Sequence, residues 1–470
     1  MGTMFTVFDS LTKFYLFDAM TNSIVSINKD NYKALKGYID GDRGTENMAV
    51  LESFQNMGYC RESSIEEIVH YSIDDYASHI NNLQMLTLQV TQNCNLRCSY
   101  CVYSGNYKNR THSNLRMSFD VAKKAIDYLF EHSINLEKVS IGFYGGEPLL
   151  EFELIKKCVR YVNENYEGKK VLFNITCNGT LLTEEVVEFL YQNSFSIMIS
   201  LDGPKQIHDR CRKFVNGQGS YETIISRLEY IKREYPDFYR KFSVSTVISP
   251  QYDLACIKEY FDTDSAVEFL NARISYQNDN GIIEDLSYDE SFLIINRHET
   301  FKVFLSMLNL IDKSKASKIF CIRAAYLKRQ YKYLKPIKYL PQKCHPGGPC
   351  IVGSKRLFVN TDGYLYPCER VSEDSEIMRI GSLSEGIDIE KAKYLTNIGA
   401  ITKERCSQCW GIIHCKMCAS SADGKVALSK ELKLLKCNET LDSLIQDIKD
   451  ICFLKEYGYD FNEEEGGANV

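Results

Sequence analysis

The sequence has no excess of basic residues: 56 Lys and Arg stand against 62 Asp and Glu, a formal net charge of -6. A nucleic-acid-binding protein would carry a basic footprint, so that class is set aside. No apolar run of about 18 residues occurs, which argues against a membrane-spanning helix. The N-terminus, "MGTMFTVFDSLTKFYLFD", has charge inside its apolar part and no cleavage-site pattern, so it does not read as a signal peptide. There is no internal repeat and no low-complexity block. These absences predict a cytoplasmic, globular protein with no nucleic-acid partner and no membrane partner. At 470 residues the chain exceeds one ordinary core, so two or three domains are expected. Its 44% hydrophobic and 25% charged content suits a chain that folds in water.

What the chain does have is cysteine, 18 in all. In a reducing compartment, clustered cysteines read as metal ligands rather than disulfides. Cys94, Cys98 and Cys101 lie within "TQNCNLRCSYC", and eight more lie between 344 and 437. The others (Cys60, Cys158, Cys177, Cys211, Cys256, Cys321 and Cys452) are scattered singly and read as small buried hydrophobes.

The chain divides into five stretches. In 1–83, three short strand patterns ("FTVFDS", "KFYLFDA", "SIVSIN") precede two helical ones, predicting a small α+β module separate from the rest of the chain. In 84–300, the apolar strands "LTLQV", "KVSIGFY", "VLFNIT", "FSIMIS" and "FSVSTVI" alternate with helical stretches, which predicts βα units and a parallel sheet or barrel. The polar or glycine-rich motifs "TQNCNLRC", "GGEP", "CNGT" and "LDGP" each come after an apolar run, and active sites of parallel α/β barrels sit at that strand end. Residues 301–343 read as a bridging helical region, 344–452 hold the second cysteine group, and 453–470 form a tail whose end, "NEEEGGANV", reads as disordered.

Three thiolates can bind three corners of a [4Fe–4S] cube and leave the fourth iron open. A zinc site completed by a distant residue such as His112 is the alternative. The arrangement Cys-x-x-x-Cys-x-x-Cys directly after the first strand resembles the radical S-adenosylmethionine (SAM) superfamily. In that family the open iron binds SAM, and one electron cleaves SAM to methionine and a 5′-deoxyadenosyl radical that abstracts a substrate hydrogen. The resemblance implies an α/β fold built on a partial (β/α)6 barrel. "FYGGEP" resembles the family's Gly-Gly-Glu-Pro motif. Gly145 and Gly146 suit a close backbone approach to a ligand, and Glu147 would accept from the SAM ammonium. By the same resemblance Asn178, Ser200 and Asp202 would lie near the SAM ribose or carboxylate, and Arg212 would pair with that carboxylate.

The eight C-terminal cysteines, Cys344, Cys350, Cys368, Cys406, Cys409, Cys415, Cys418 and Cys437, make two Cys₄ sets. Their order resembles the SPASM domain of radical SAM enzymes that modify peptides, apart from two residues rather than three between Cys415 and Cys418. The resemblance implies two auxiliary [4Fe–4S] clusters, three in all. Cys344, Cys350, Cys368 and Cys418 would hold the inner one; Cys406, Cys409, Cys415 and Cys437 would hold the outer. Trp410 and His414, inside the cysteine loop, read as packing residues.

The N-terminal module resembles the RiPP recognition element, a winged-helix-like reader of the leader in ribosomally made precursor peptides. The reading is therefore a peptide maturase of the sactipeptide or ranthipeptide kind, forming thioethers between cysteine sulfur and carbon. Its implied partners are a precursor peptide with its leader and a flavodoxin or ferredoxin reductant. Anaerobic sulfatase maturases, which make formylglycine, are the alternative, as are carbon–carbon cross-linking maturases. Sulfatase maturases begin just before the three-cysteine motif, whereas this chain runs about 90 residues ahead of it. Against that, Glu369 directly follows Cys368, where sulfatase maturases carry an acidic base, and so it is the candidate catalytic base.

Overall fold

The computed structural model describes residues 2–104, 107, 112–277, 282, 289–348 and 350–462. Strands β1 (Phe5–Asp9), β2 (Phe14–Asp18) and β3 (Ser23–Ile27) form an antiparallel sheet in sequence order, followed by helices Lys29–Ile39 and Thr45–Asn56. The strand period of two divides β2 between two cores. Leu16 packs with Leu35, Leu51 and Phe54 of the helices. Tyr15 and Phe17 point the other way, onto Cys406, Ile412, Leu444 and Ile448 of the C-terminal region. The module is therefore not separate, as its sequence suggests. One face of its sheet packs on residues some 400 positions later, which no local pattern reveals.

The short strand β4 (Glu67–Ile68) leads to six parallel strands: β5 (Met85–Thr91), β6 (Lys138–Gly145), β7 (Lys170–Cys177), β8 (Ser196–Ser200), β9 (Ser243–Ile248) and β10 (Asn271–Tyr276). They neighbour one another in chain order, each paired in parallel with the next. Sequence patterning finds the first five. It misses β10, whose residues are mostly exposed and carry little apolar signal. Leu86, Leu88, Val90, Ile141, Phe143, Ile197 and Ile199 are buried to 2% exposure or less, each worth about 1.5–3 kcal/mol over the exposed state. The helices between strands start on side-chain caps, Ser118 accepting from the Val121 N–H and Thr183 from the Val186 N–H.

Helix Glu290–Met307 runs across residue 300, so the boundary drawn there falls inside one helix. The polar–apolar pattern changes along that helix without a break in the backbone. Helix Ile322–Tyr333 follows, and β11 (Lys343–Cys344) pairs with β4. Strand β12 (Arg356–Val359) then adds in parallel to β5, and β13 (Tyr364–Tyr366) turns back along it. The cysteine-rich region thus continues the barrel's own sheet. Helix Cys437–Glu456 closes the chain, so the boundary at 453 also falls within a helix. Residues 463–470, most of "NEEEGGANV", lie outside the described residues. Among the described residues no helix is long and apolar enough to cross a membrane. Of the single cysteines, Cys60, Cys158, Cys177 and Cys452 are buried, as their apolar settings suggest. Cys321 is exposed, and Cys211 and Cys256 are half-buried.

Candidate active site

The ends of β5 and β6 are locked together. The Gly146 N–H donates to the Thr91 carbonyl and the Glu147 N–H to that of Asn93, both at 2.9 Å. A Cβ on Gly145 would stand 2.0 Å from the Thr91 oxygen, and one on Gly146 2.2 Å from that of Asn93. Gly145 also has φ 141°, a conformation side-chain-bearing residues avoid. The glycine pair thus makes its close approach to the cysteine loop of this chain itself. Glu147 is fully buried. Its two oxygens accept the Asn178 N–H at 2.7 Å and the Leu149 N–H at 3.0 Å. Burial, opposed by those two bonds, pushes its carboxyl up to about 7.

Asn178 donates to Asn95 Oδ1 at 2.8 Å and lies 3.9 Å from Cys94 Sγ. Asp202 and Arg212, both buried, form a forked pair, Nε to Oδ2 at 2.9 Å and Nη2 to Oδ1 at 3.2 Å. Tyr100, from the cysteine loop, donates to the same carboxylate, and the Val247 N–H donates to it at 3.0 Å. Arg212 Nη1 is 4.0 Å from Cys98 Sγ. Ser200 ends β8, two residues before Asp202, half-buried. The structure therefore gathers Cys94, Cys98, Gly145, Gly146, Glu147, Asn178, Asp202 and Arg212 around one loop. Arg212 enters as half of an ion pair rather than as a lone charge.

Burial pushes the Cys94 thiol up to about 11 and the Cys98 thiol up to about 12, and Cys101 adds to both shifts. All three are free. Buried thiols in mutual electrostatic reach are protonated by themselves and ionise when a metal centre supplies positive charge. Among the described residues no three His, Cys, Asp or Glu side chains converge on a single ion. Thiols bound to separate irons of one cube need no common point, so the set fits a cube better than a zinc ion. The ring nitrogens of His112, the zinc alternative's further ligand, are buried without a hydrogen-bond partner among the described residues, beside the Tyr103 ring.

A second polar group, which the sequence patterning does not single out, lies just past the end of β5. Glu373 accepts from the Tyr103 hydroxyl at 2.5 Å and from Gln92 Nε2 at 3.0 Å. Gln89, fully buried within β5, donates to Tyr103 at 3.0 Å. The one sequence signal is two glutamines in an apolar strand, "LTLQVTQN". Glu369 lies elsewhere, 3.2 Å from Arg356 at the end of β12 that faces Met85.

The C-terminal thiols fall into groups. Cys406, Cys409, Cys415 and Cys437 act electrostatically on one another, as do Cys350, Cys368 and Cys418. Cys344 joins neither set in this way; its Sγ lies 3.8 Å from the His345 carbonyl. Gly347 lies on the loop before Cys415: its N–H donates to the Ile412 carbonyl at 2.9 Å. A Cβ on Gly347 would stand 1.9 Å from the Ile413 oxygen. Trp410 and His414 pack on Phe17, and His414 Nε2 meets Asn22 Oδ1 at 2.8 Å.

Comparison with known proteins matches residues 88–263 to the Radical SAM superfamily. An uncharacterized protein of Methanocaldococcus jannaschii is 37% identical over 171 residues, 36% of this chain and 54% of that one. A cysteine-type anaerobic sulfatase-maturating enzyme of Clostridium novyi is 29% identical over 173 residues, 36% of this chain and 45% of that one. The chain thus spans about half the length of these relatives. The solved structure of native anSMEcpe with bound AdoMet and Kp18Cys peptide shares the fold, with a TM-score of 0.57 at 21% identity over 79% of this chain and 99% of that one. The six parallel strands and the three-cysteine loop after the first both lie in or directly beside the stretch, residues 88–263, that is similar to the Radical SAM superfamily.

Proposed function

We propose that the chain is a peptide-modifying oxidoreductase that joins a cysteine sulfur to a carbon of a ribosomally made precursor. One observation carries this reading. β3 pairs with β2 on one side and, among the described residues, with no strand on the other, while the same sheet packs on the cysteine-rich region. A leader peptide can add as a strand to that edge, gaining main-chain hydrogen bonds, and its core then has the barrel within reach.

In this reading Cys94, Cys98 and Cys101 hold a [4Fe–4S] cluster, and Gly145, Gly146, Glu147, Asn178, Ser200, Asp202 and Arg212 shape the SAM site. When bound, the cluster and SAM supply a 5′-deoxyadenosyl radical. Cys344, Cys350, Cys368 and Cys418 hold an inner auxiliary cluster, and Cys406, Cys409, Cys415 and Cys437 an outer one; the reductant is a flavodoxin or ferredoxin. The chain's own residues do the rest. Asp202 fixes the Arg212 fork beside Cys98, the glycine pair holds the cysteine loop, and Glu373, presented by Tyr103 and Gln92, accepts the proton of the substrate thiol.

A second reading, oxidation of a cysteine to formylglycine, is favoured by Glu369 beside Cys368 and by the likeness to sulfatase-maturating enzymes. Mass spectrometry after anaerobic incubation with SAM and dithionite separates the two. A leader-bearing cysteine precursor should lose two hydrogens per cross-link and its thiols should resist alkylation. A sulfatase-derived peptide that instead gains an aldehyde, with the precursor untouched, would establish the second reading.

A further inference from the structure

Lys433 lies in the short helix Lys430–Leu435 and is 0% exposed. An ammonium removed from water is costly unless an anion or a full set of acceptors meets it. Its Nζ donates to the Ile398 carbonyl at 2.8 Å and to the Thr402 hydroxyl at 2.6 Å, and lies 3.7 Å from Cys406 Sγ. No carboxylate is among these partners. Arg212, the other buried Lys or Arg of the described residues, is held by the Asp202 carboxylate in two bonds.

Of its three partners, the one that ionises to an anion is the Cys406 thiol. Its charge acts on Cys415 and Cys437 as well as lying beside Cys406. Arg405 adds a second positive charge felt by Cys409 and Cys437. The inner set is balanced differently, with Arg356 acting on Cys350 and Glu369 on Cys368. Three of the outer four thiols, Cys406, Cys415 and Cys437, thus face a buried cation with no carboxylate among its partners. Four thiolates on a metal centre would neutralise it; four neutral thiols would not.

Resting on the ligand assignment proposed above, we propose that Lys433 is the built-in counter-charge of an iron–sulfur cluster held by Cys406, Cys409, Cys415 and Cys437, and that it raises the reduction potential of that cluster. Reduction adds one electron and one negative charge, and no bond to Lys433 changes. A fixed cation in a low-dielectric interior stabilises the more negative state more strongly. Net charge and hydrogen bonds at the sulfurs are among the factors that set such potentials.

The test uses the full chain with Cys94, Cys98 and Cys101 each replaced by Ala, reconstituted anaerobically so that only the two C-terminal clusters remain. Iron and sulfide are counted, and both midpoints are read by titration with dithionite under electron paramagnetic resonance. Lys433→Met should lower one midpoint by a tenfold or larger change in the reduction equilibrium, about 59 mV for a one-electron couple. The other midpoint should stay, and Lys433→Arg should keep both. Loss of one cluster in Lys433→Met but not in Lys433→Arg also supports the counter-charge. Unchanged midpoints in Lys433→Met, or equal damage from Met and Arg, overturns it in favour of a packing role. If the parent binds zinc or a single cluster there, the ligand assignment itself falls and the proposal falls with it.

Discussion

Two regions of the molecule handle buried charge in opposite ways. At the end of the barrel, Arg212 has Asp202, and Asp202 also has Tyr100 and the Val247 N–H; Glu147 is capped by two backbone N–H groups. In the outer thiol set Lys433 has a carbonyl, a hydroxyl and sulfur, but no carboxylate. The first site is electrostatically complete within the chain, as suits a cradle that must exist before a small-molecule cofactor arrives. The second meets the three N–H donors of Lys433 with three acceptors but holds no anion among them. On the proposed assignment, charge neutralised within the chain marks the cradle of an exchangeable ligand, and a cation without a carboxylate marks the site of a resident cluster.

Removing a ligand from the complete site gives the largest effect. Cys98→Ala should abolish 5′-deoxyadenosine formation from SAM, measured by chromatography, while leaving the C-terminal iron in place. Next come the two acids of the segment after Cys368. Glu373→Gln should cut cross-linked product by about 100-fold, the scale of a lost general base, with 5′-deoxyadenosine still formed. Glu369→Gln should change product little if its partner is Arg356 alone. The opposite pattern would return the base to Glu369.

A pair of variants in the metal-free chain sharpens the contrast itself. Asp202→Asn strands a buried guanidinium and should cost about 3–5 kcal/mol in urea unfolding. Lys433→Met removes an unneutralised cation and should be neutral or stabilising by about 1 kcal/mol. Equal destabilisation by both would erase the distinction between the regions.

A pH-dependent effect concerns His208, buried beside Asp202 with its Nε2 2.9 Å from the Ser220 hydroxyl. Burial, opposed by the charge of Asp202 and reinforced by that of Arg212, pushes its imidazole down to about 3. The folded state then binds fewer protons than the unfolded state between about 6.5 and 3. Stability is complete above that window and is lost as pH falls through it, by about 1.4 kcal/mol per pH unit. Urea midpoints at pH 7 and pH 5 measure the slope, which His208→Gln should flatten.

Much of the barrel and its motifs is legible in sequence because both are local. Strand and helix periods repeat over tens of residues, and each motif directly follows its strand. The hidden features are those set by distant partners. β12 joins β5 across some 270 residues, Phe17 meets Trp410, and Asn22 meets His414. Glu373 and Lys433 look like surface charges in their own segments, "VSEDSE" and "SKELKLL", and only tertiary packing moves them inward. Gly145 and Gly146 are legible as positions of close approach, but what approaches them is the backbone at Thr91 and Asn93.

The most direct test of the central claim, that three separate thiol groups each complete themselves with a cluster, is iron and sulfide quantitation with Mössbauer spectroscopy on the anaerobically isolated full chain. The account predicts three [4Fe–4S] clusters per chain, falling to two when Cys94, Cys98 and Cys101 are replaced. One cluster per chain, with zinc in the C-terminal thiols, would contradict it.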